Sequence, residues 1–128
     1  MDSRMTAPLT SEIAQGSGCI KEDAPRLGVI VGLAGTRQVF VNGVELSPRD
    51  SARVIPFLEG GFYWGSKGRG SSQLALAILL RFVDEGTAVS LYSDFEREVI
   101  VAQAVPDRPL SLVVKRIRAW LGGKGVKV

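Results

Sequence analysis

Apolar and polar positions first fall into register at residues 27–33. Leu27, Val29, Val31 and Leu33 occupy every second position, around Gly28, Ile30 and Gly32. That is the period of a strand with one strongly apolar face. Gly35 marks a turn, and Val39-Phe40-Val41 reads as a second strand. Asn42-Gly43 follows, then Val44-Glu45-Leu46. An Asn-Gly pair tolerates the positive φ angles of a type I′ turn, so a hairpin is expected here. Together these segments predict a three-strand antiparallel meander over 27–46.

Ser47 and Pro48 end the meander. Residues 51–60 show no period, and Pro56 with Gly60-Gly61 favours irregular chain. From Gln73 to about Val83 nearly every position is apolar: Leu74, Ala75, Leu76, Ala77, Ile78, Leu79, Leu80 and Phe82. A helix without a polar face is buried on several sides. This one is expected to be the central helix of the core, capped by Ser71 or Ser72 and ended by Gly86. Thr87 is expected to cap a second helix, in which Ala88, Leu91, Tyr92 and Phe95 fall on one face. Val99, Ile100 and Val101 then favour a late strand within Glu98–Val105. Pro106 and Pro109 bracket a turn. Ser111 is expected to cap a last helix with Val114, Ile117, Trp120 and Leu121 facing inward. The sum is an α+β fold: a small antiparallel sheet, the meander plus one later strand, with about three helices on one face. Residues 1–26 read as a flexible tail, 27–122 as a single domain, and 123–128 as a basic C-terminal tail.

The composition narrows the chemistry. The chain of 128 residues has no histidine, so every Ser-His-Asp, Cys-His and His-ligated metal mechanism is excluded. Its one cysteine, Cys19, cannot form an internal disulfide. The expectation is a non-enzyme without a cofactor or a metal. No apolar run approaches the roughly 20 residues of a membrane span, and residues 5–25 do not resemble a signal peptide. A cytoplasmic protein with no membrane partner is therefore expected. The charge is uneven. Arg108, Lys115, Arg116, Arg118, Lys124 and Lys127 follow one another with no carboxylate after Asp107, although the whole chain is only +3. Such an end attracts anions, nucleic acid or an acidic protein; a solvated helix face with a frayed tail is the plainer alternative.

Three aromatics, Phe62, Tyr63 and Trp64, stand before Gly65-Ser66-Lys67-Gly68-Arg69-Gly70-Ser71-Ser72-Gln73 and the apolar run. Residues 62–79 resemble the signature F-x-W-G-Y-G-G-S-G-P-x-Q-L-A-L-A-I-L of an uncharacterised domain family of bacteria, their phages and mobile elements. The resemblance extends from the strand near Val29 to Leu121. It implies the order of strand, Gly-rich loop and central helix, and brings no activity. Ser66 and Lys67 stand where the signature has Tyr and Gly, Arg69 where it has Ser, and Ser71 where it has Pro. Two cations have thus entered a loop that the signature leaves neutral.

The loop poses the main functional question. A helix start offers unpaired N–H groups and partial positive charge, and glycine lets an anion approach them. Gly65, Lys67, Gly68, Arg69, Gly70, Ser71 and Ser72 could form an anion or nucleotide cradle, with Tyr63 or Trp64 stacking on a base. Neither a Walker nor a Rossmann spacing is present. The alternative is a tight turn that seats Trp64 against the helix. Asp94, Glu96 and Glu98 could form a carboxylate cluster, but exposed carboxylates are the plainer account. The functional expectation is a non-catalytic binding protein of a phage or mobile element, an anti-CRISPR-like inhibitor of a host defence or nucleoprotein complex. It would act through the loop and through Lys115, Arg116, Arg118, Lys124 and Lys127, as a monomer or dimer. A nucleotide-sequestering protein and a purely structural interaction domain are the alternatives.

Overall fold

The computed structural model describes residues 18–57 and 61–127. Four antiparallel strands form one sheet: β1 (Val29–Gly32), β2 (Val39–Val41), β3 (Val44–Leu46) and β4 (Leu110–Val113). Their spatial order is β3-β2-β1-β4, so the last strand closes onto the first and forms one edge. Among the described residues four helices complete the fold: α1 (Pro48–Val54), α2 (Arg69–Leu80), α3 (Glu85–Phe95) and α4 (Val114–Gly123). A π-helical turn, Glu96–Val101, extends α3 without a break. The α+β expectation holds.

The three strands of the meander form, but the first has its faces reversed: Leu27, Val29 and Leu33, read as its apolar face, are exposed, and Ile30 between them is fully buried. Asn42 and Gly43 have φ angles of 50° and 85°, as a type I′ turn requires. Asn42 also braces β1. Its Oδ1 accepts from the Val29 N–H at 3.0 Å, and its Nδ2 donates to the Leu27 carbonyl at 2.9 Å. Ile30, Val39, Val41, Leu46, Leu110 and Leu112 point inward and are buried. The helices cover that face, and α2 lies at their centre, packed against α1, α3 and the π-helical turn. Leu74 to Leu79 are all buried there, which accounts for a helix with no polar side.

Several local expectations are corrected. Residues 48–54, read as the end of the meander and the start of the irregular stretch 51–60, form α1 on a Ser47 cap whose hydroxyl accepts from the Arg49 N–H. Helix α2 starts at Arg69, with Gly68 as its cap residue, so Ser71 and Ser72 lie inside it. It ends at Leu80, and Gly86 belongs to α3. Asp84, not Thr87, caps α3, accepting from the Thr87 N–H at 2.9 Å. The segment read as a late strand is the π-helical turn. Val99 and Ile100 are adjacent and both buried, which a strand with one wet face cannot achieve. The later strand is instead Leu110–Val113, where burial alternates. Ser111 lies within it, paired with Val31, and caps nothing. Residues 18–26 are not a tail. Lys21 donates its N–H to the Phe82 carbonyl, Ile20 to that of Lys127, and Ala24 is buried. Val126, in the expected C-terminal tail, is buried too. The rest of the expected N-terminal tail, 1–17, lies outside the described residues.

Trp64 joins the sheet to the helical layer. Its ring is fully buried, and its indole N–H donates to the Arg108 carbonyl at 2.8 Å. The ring lies against Gly32 of β1. A Cβ there would sit 2.7 Å from the indole and 2.8 Å from the Leu110 Cβ. Neither neighbour is a flexible chain end, so overpacking of this kind costs about 1–3 kcal/mol. Gly32→Ala is expected to lower stability by that amount in urea unfolding without changing the slope of the transition.

Candidate functional site

The Gly-rich loop is a helix start that has taken an anion, and the anion is the protein's own. Glu96, on the first residue of the π-helical turn, is 5% exposed. Its Oε2 accepts from the Gly68 N–H at 3.1 Å, and its Oε1 accepts from the Ser72 hydroxyl at 2.6 Å. Gly68 is the cap residue of α2, and its own side chain can cap nothing. A buried carboxylate is costly unless hydrogen-bonded, and the positive end of a helix favours it. The Gly68 N–H and the Ser72 hydroxyl, expected to face an external anion, are thus satisfied internally. Ser71, buried, donates to the Ser66 carbonyl and closes the loop on itself.

The aromatics are engaged as well. Trp64 is sealed in the core, which overturns its expected role in stacking on a base. Tyr63 is half-buried, and the Arg37 guanidinium lies 4.3 Å from its ring centre and 4.6 Å from that of Trp64. Arg37 Nη2 donates to the Pro106 carbonyl, while Nη1 is buried with no partner among the described residues. Attraction to the two ring faces compensates in part. Gly65 has a φ of 88°, and a Cβ there would overlap Pro106. Its N–H donates to the Ile100 carbonyl at 3.2 Å. Gly65 thus serves close backbone approach, and Gly70 is buried in the first turn of α2. Of the expected anion-binding set, Lys67, Gly68 and Arg69 are the exposed members of the described loop beside Ser66.

The expected basic face divides in two. Lys115, Arg116 and Lys127 are exposed. Arg118 donates to the Pro25 carbonyl at 3.0 Å. Lys124 lies between Asp94 and Glu98, 3.2 Å from a carboxylate oxygen of each. Trp120 donates its N–H to Glu98 at 2.9 Å, and Arg97 bridges the same two carboxylates. The carboxylate cluster considered from sequence thus separates into two networks, Glu96 inside and Asp94 with Glu98 at the surface.

Three residues to which the sequence reading gave no part in the loop organise this region: Glu96, Arg37 and Gln73. Gln73 is fully buried. Its Oε1 accepts from the Phe57 N–H, and its Nε2 donates to the Ser51 hydroxyl and the Ile55 carbonyl, pinning the chain after α1 to α2. A lone polar residue at the head of an apolar run was the available signal for Gln73. Nothing local marked Glu96, whose partners are 24 and 28 residues away.

A family model matches residues 31–123, from β1 through α4. The chain belongs to DUF6166, a family of unknown function. The resemblance of residues 62–79 to an uncharacterised family agrees with this. No curated protein and no solved structure matches the chain. The matched span contains Trp64, Gly65, Gln73 and Glu96, so the family region includes the whole internally satisfied helix start. Among the described residues no helix is long and apolar enough to cross a membrane.

Two outcomes test this arrangement. Glu96→Ala leaves the Gly68 N–H and the Ser72 hydroxyl without their acceptor, and is expected to cost about 1–3 kcal/mol. Sulfate should then restore part of the lost melting temperature in the variant, beyond its effect on the parent protein. The surface network makes a second prediction. The Trp120 N–H and Lys124 hold the Glu98 carboxyl below its usual range, and Lys124 with Arg97 does the same for Asp94. Groups lowered in the folded state add stability above the ordinary carboxylate range and lose it as pH falls through their folded values. Lys124→Met should therefore flatten the acid side of a melting-temperature profile taken between about pH 6 and pH 2.

Proposed function

We propose that this protein is a non-catalytic binding protein that docks through exposed cations on an acidic surface of a host protein or nucleoprotein complex. The carrying observation is that Lys67, Arg69, Lys115 and Arg116 are exposed and form no ion pair with another described residue. Cations released from internal duties are available to a partner, and such charges set both encounter rate and specificity. The neighbouring charges Arg97, Arg118 and Lys124 are committed to the fold. The resemblance to a family of bacteria, their phages and mobile elements supports a specific form: an anti-defence inhibitor, anti-CRISPR-like in mode, acting in the cytoplasm. The nucleotide-sequestering reading has less support, because the Gly68 N–H already serves Glu96 and the Trp64 ring is buried.

Affinity capture from host lysate, with and without nuclease, tests this. A partner should be retained after nuclease treatment and lost with K67E/R69E/K115E/R116E, while the melting temperature of that variant stays within a few degrees. Capture that survives all four reversals would overturn the reading. Capture abolished by nuclease alone would replace it with nucleic-acid binding, whose affinity falls steeply with salt.

A further inference from the structure

The face of the sheet turned away from the helices is apolar and partly exposed. Side chains alternate along a strand, and Ile30, Val39, Val41, Leu110 and Leu112 point into the core. Val29, Val31, Phe40, Glu45, Ser111 and Val113 therefore point outward. Val29 and Val113 pair in register and are 42% and 45% exposed. Val31 and Phe40 pair likewise, and both are half-buried. An antiparallel strand with one wet face alternates apolar and polar residues, whereas a strand covered on both sides is apolar throughout. Strand β1, Val29-Ile30-Val31-Gly32, has no polar side chain on either side. Its composition is that of a strand with a partner on each face.

The register sets four outward residues in one row across the sheet. Glu45 pairs with Phe40, Phe40 with Val31, and Val31 with Ser111. The row thus runs from a carboxylate at the β3 edge, through an aromatic ring and a β-branched chain, to a hydroxyl at the β4 edge. Glu45 is its one ionised member, and its Oε2 accepts from Gln38 Nε2 at 3.3 Å. A two-fold axis parallel to the strands, lying between two stacked sheets, lays this row over itself in reverse. Phe40 of each copy then meets Val31 of the other, and Glu45 of each meets Ser111 of the other. Large lies over small at the centre, and an acceptor lies over a donor at both rims. Packed sheets are rotated by about 30°, which displaces the centre of the row, Val31 and Phe40, least.

We infer that the outer face of the sheet binds a second copy of this chain, Phe40 over Val31, and closes an eight-stranded sandwich. A two-fold interface has to be complementary to itself, and this row is. An acidic partner surface does not fit the face, because the row holds no cation and one carboxylate. The inference is therefore independent of the binding role proposed for the exposed cations. Strands of three or four residues give a face smaller than the roughly 800 Å² per partner of a standard interface. The dimer is accordingly weak and exchanges with monomer.

The test is sedimentation of the full chain between about 10 μM and about 1 mM, the range of a weak association. A monomer-to-dimer transition is expected. Val31→Glu and Phe40→Lys each bury a charge against an apolar side chain of the other copy, and each variant should stay monomeric. An equimolar mixture of the two should dimerise again, because the new carboxylate of one copy lies over the new ammonium of the other. A two-fold axis running across the strands would set each position over itself, and the mixture would then stay monomeric. Should either variant lose its dispersed amide spectrum, the unaltered protein serves instead. A sample of mixed labelled and unlabelled chains should show isotope-filtered contacts between the Phe40 ring of one copy and the Val31 methyls of the other. A parent protein that is monomeric throughout would overturn the proposal. So would variants that dimerise like the parent, a mixture that stays monomeric, or a dimer without the filtered contacts. Contacts from residues 1–17 to Val31 and Phe40 in a monomer would overturn it in favour of that segment.

Discussion

The carboxylate of Glu96 on the start of α2 is the contact on which this part of the molecule depends. It is an ionisable group buried beneath a Gly-rich loop, and it is tolerable there because an amide, a hydroxyl and the positive end of a helix share its charge. One side chain thereby fixes the loop to α2 and α2 to the end of α3. The neighbouring contacts assume that position: the Gly65 N–H on the Ile100 carbonyl, and Trp64 packed beneath β1. The π-helical geometry of residues 96–101 belongs to the same solution. Its turn carries Glu96 inward and Glu98 to the surface within one continuous helical segment.

The sequence makes some of this legible and hides the rest for physical reasons. The strands of the meander were readable because alternation and an Asn-Gly turn are local signals, but the inward face was not, since Val29 and Leu33 are exposed and Ile30 is buried. The central helix was readable because an unbroken apolar run has few other destinations. The cap positions were not, since Ser71 and Ser72 offered a familiar cap while the chain used a glycine and a distant carboxylate. Val99, Ile100 and Val101 have strand-like composition, but their packing against α2 overrides it. From sequence the loop read either as a cradle for an external anion or as a tight turn that seats Trp64, and in the structure a carboxylate of the chain itself meets the Gly68 N–H. That the anion was Glu96 could not be seen, because its approach depends on the folding of α3.

The departures from the signature gain meaning in this light. Phe62, Trp64, Gly65 and Gln73 match it, and Phe62, Trp64 and Gln73 are buried while Gly65 packs against Pro106. Ser66, Lys67 and Arg69 depart from it and are exposed. The buried side chains among residues 62–73 hold the loop, and Ser66, Lys67 and Arg69 are what it presents to solvent. Ser71 is the exception, a departure that is buried and donates to the Ser66 carbonyl.

The two tryptophans occupy unlike settings. Trp64 is enclosed between sheet and helices, and Trp120 is half-buried with its N–H on Glu98 and the Lys124 ammonium 5.3 Å from its ring centre. The protein therefore carries two intrinsic fluorophores that report on different events. Emission from Trp64 shifts to longer wavelength when water reaches the seam between the layers. Emission from Trp120 follows the charge state of its carboxylate and ammonium neighbours while the interior stays closed.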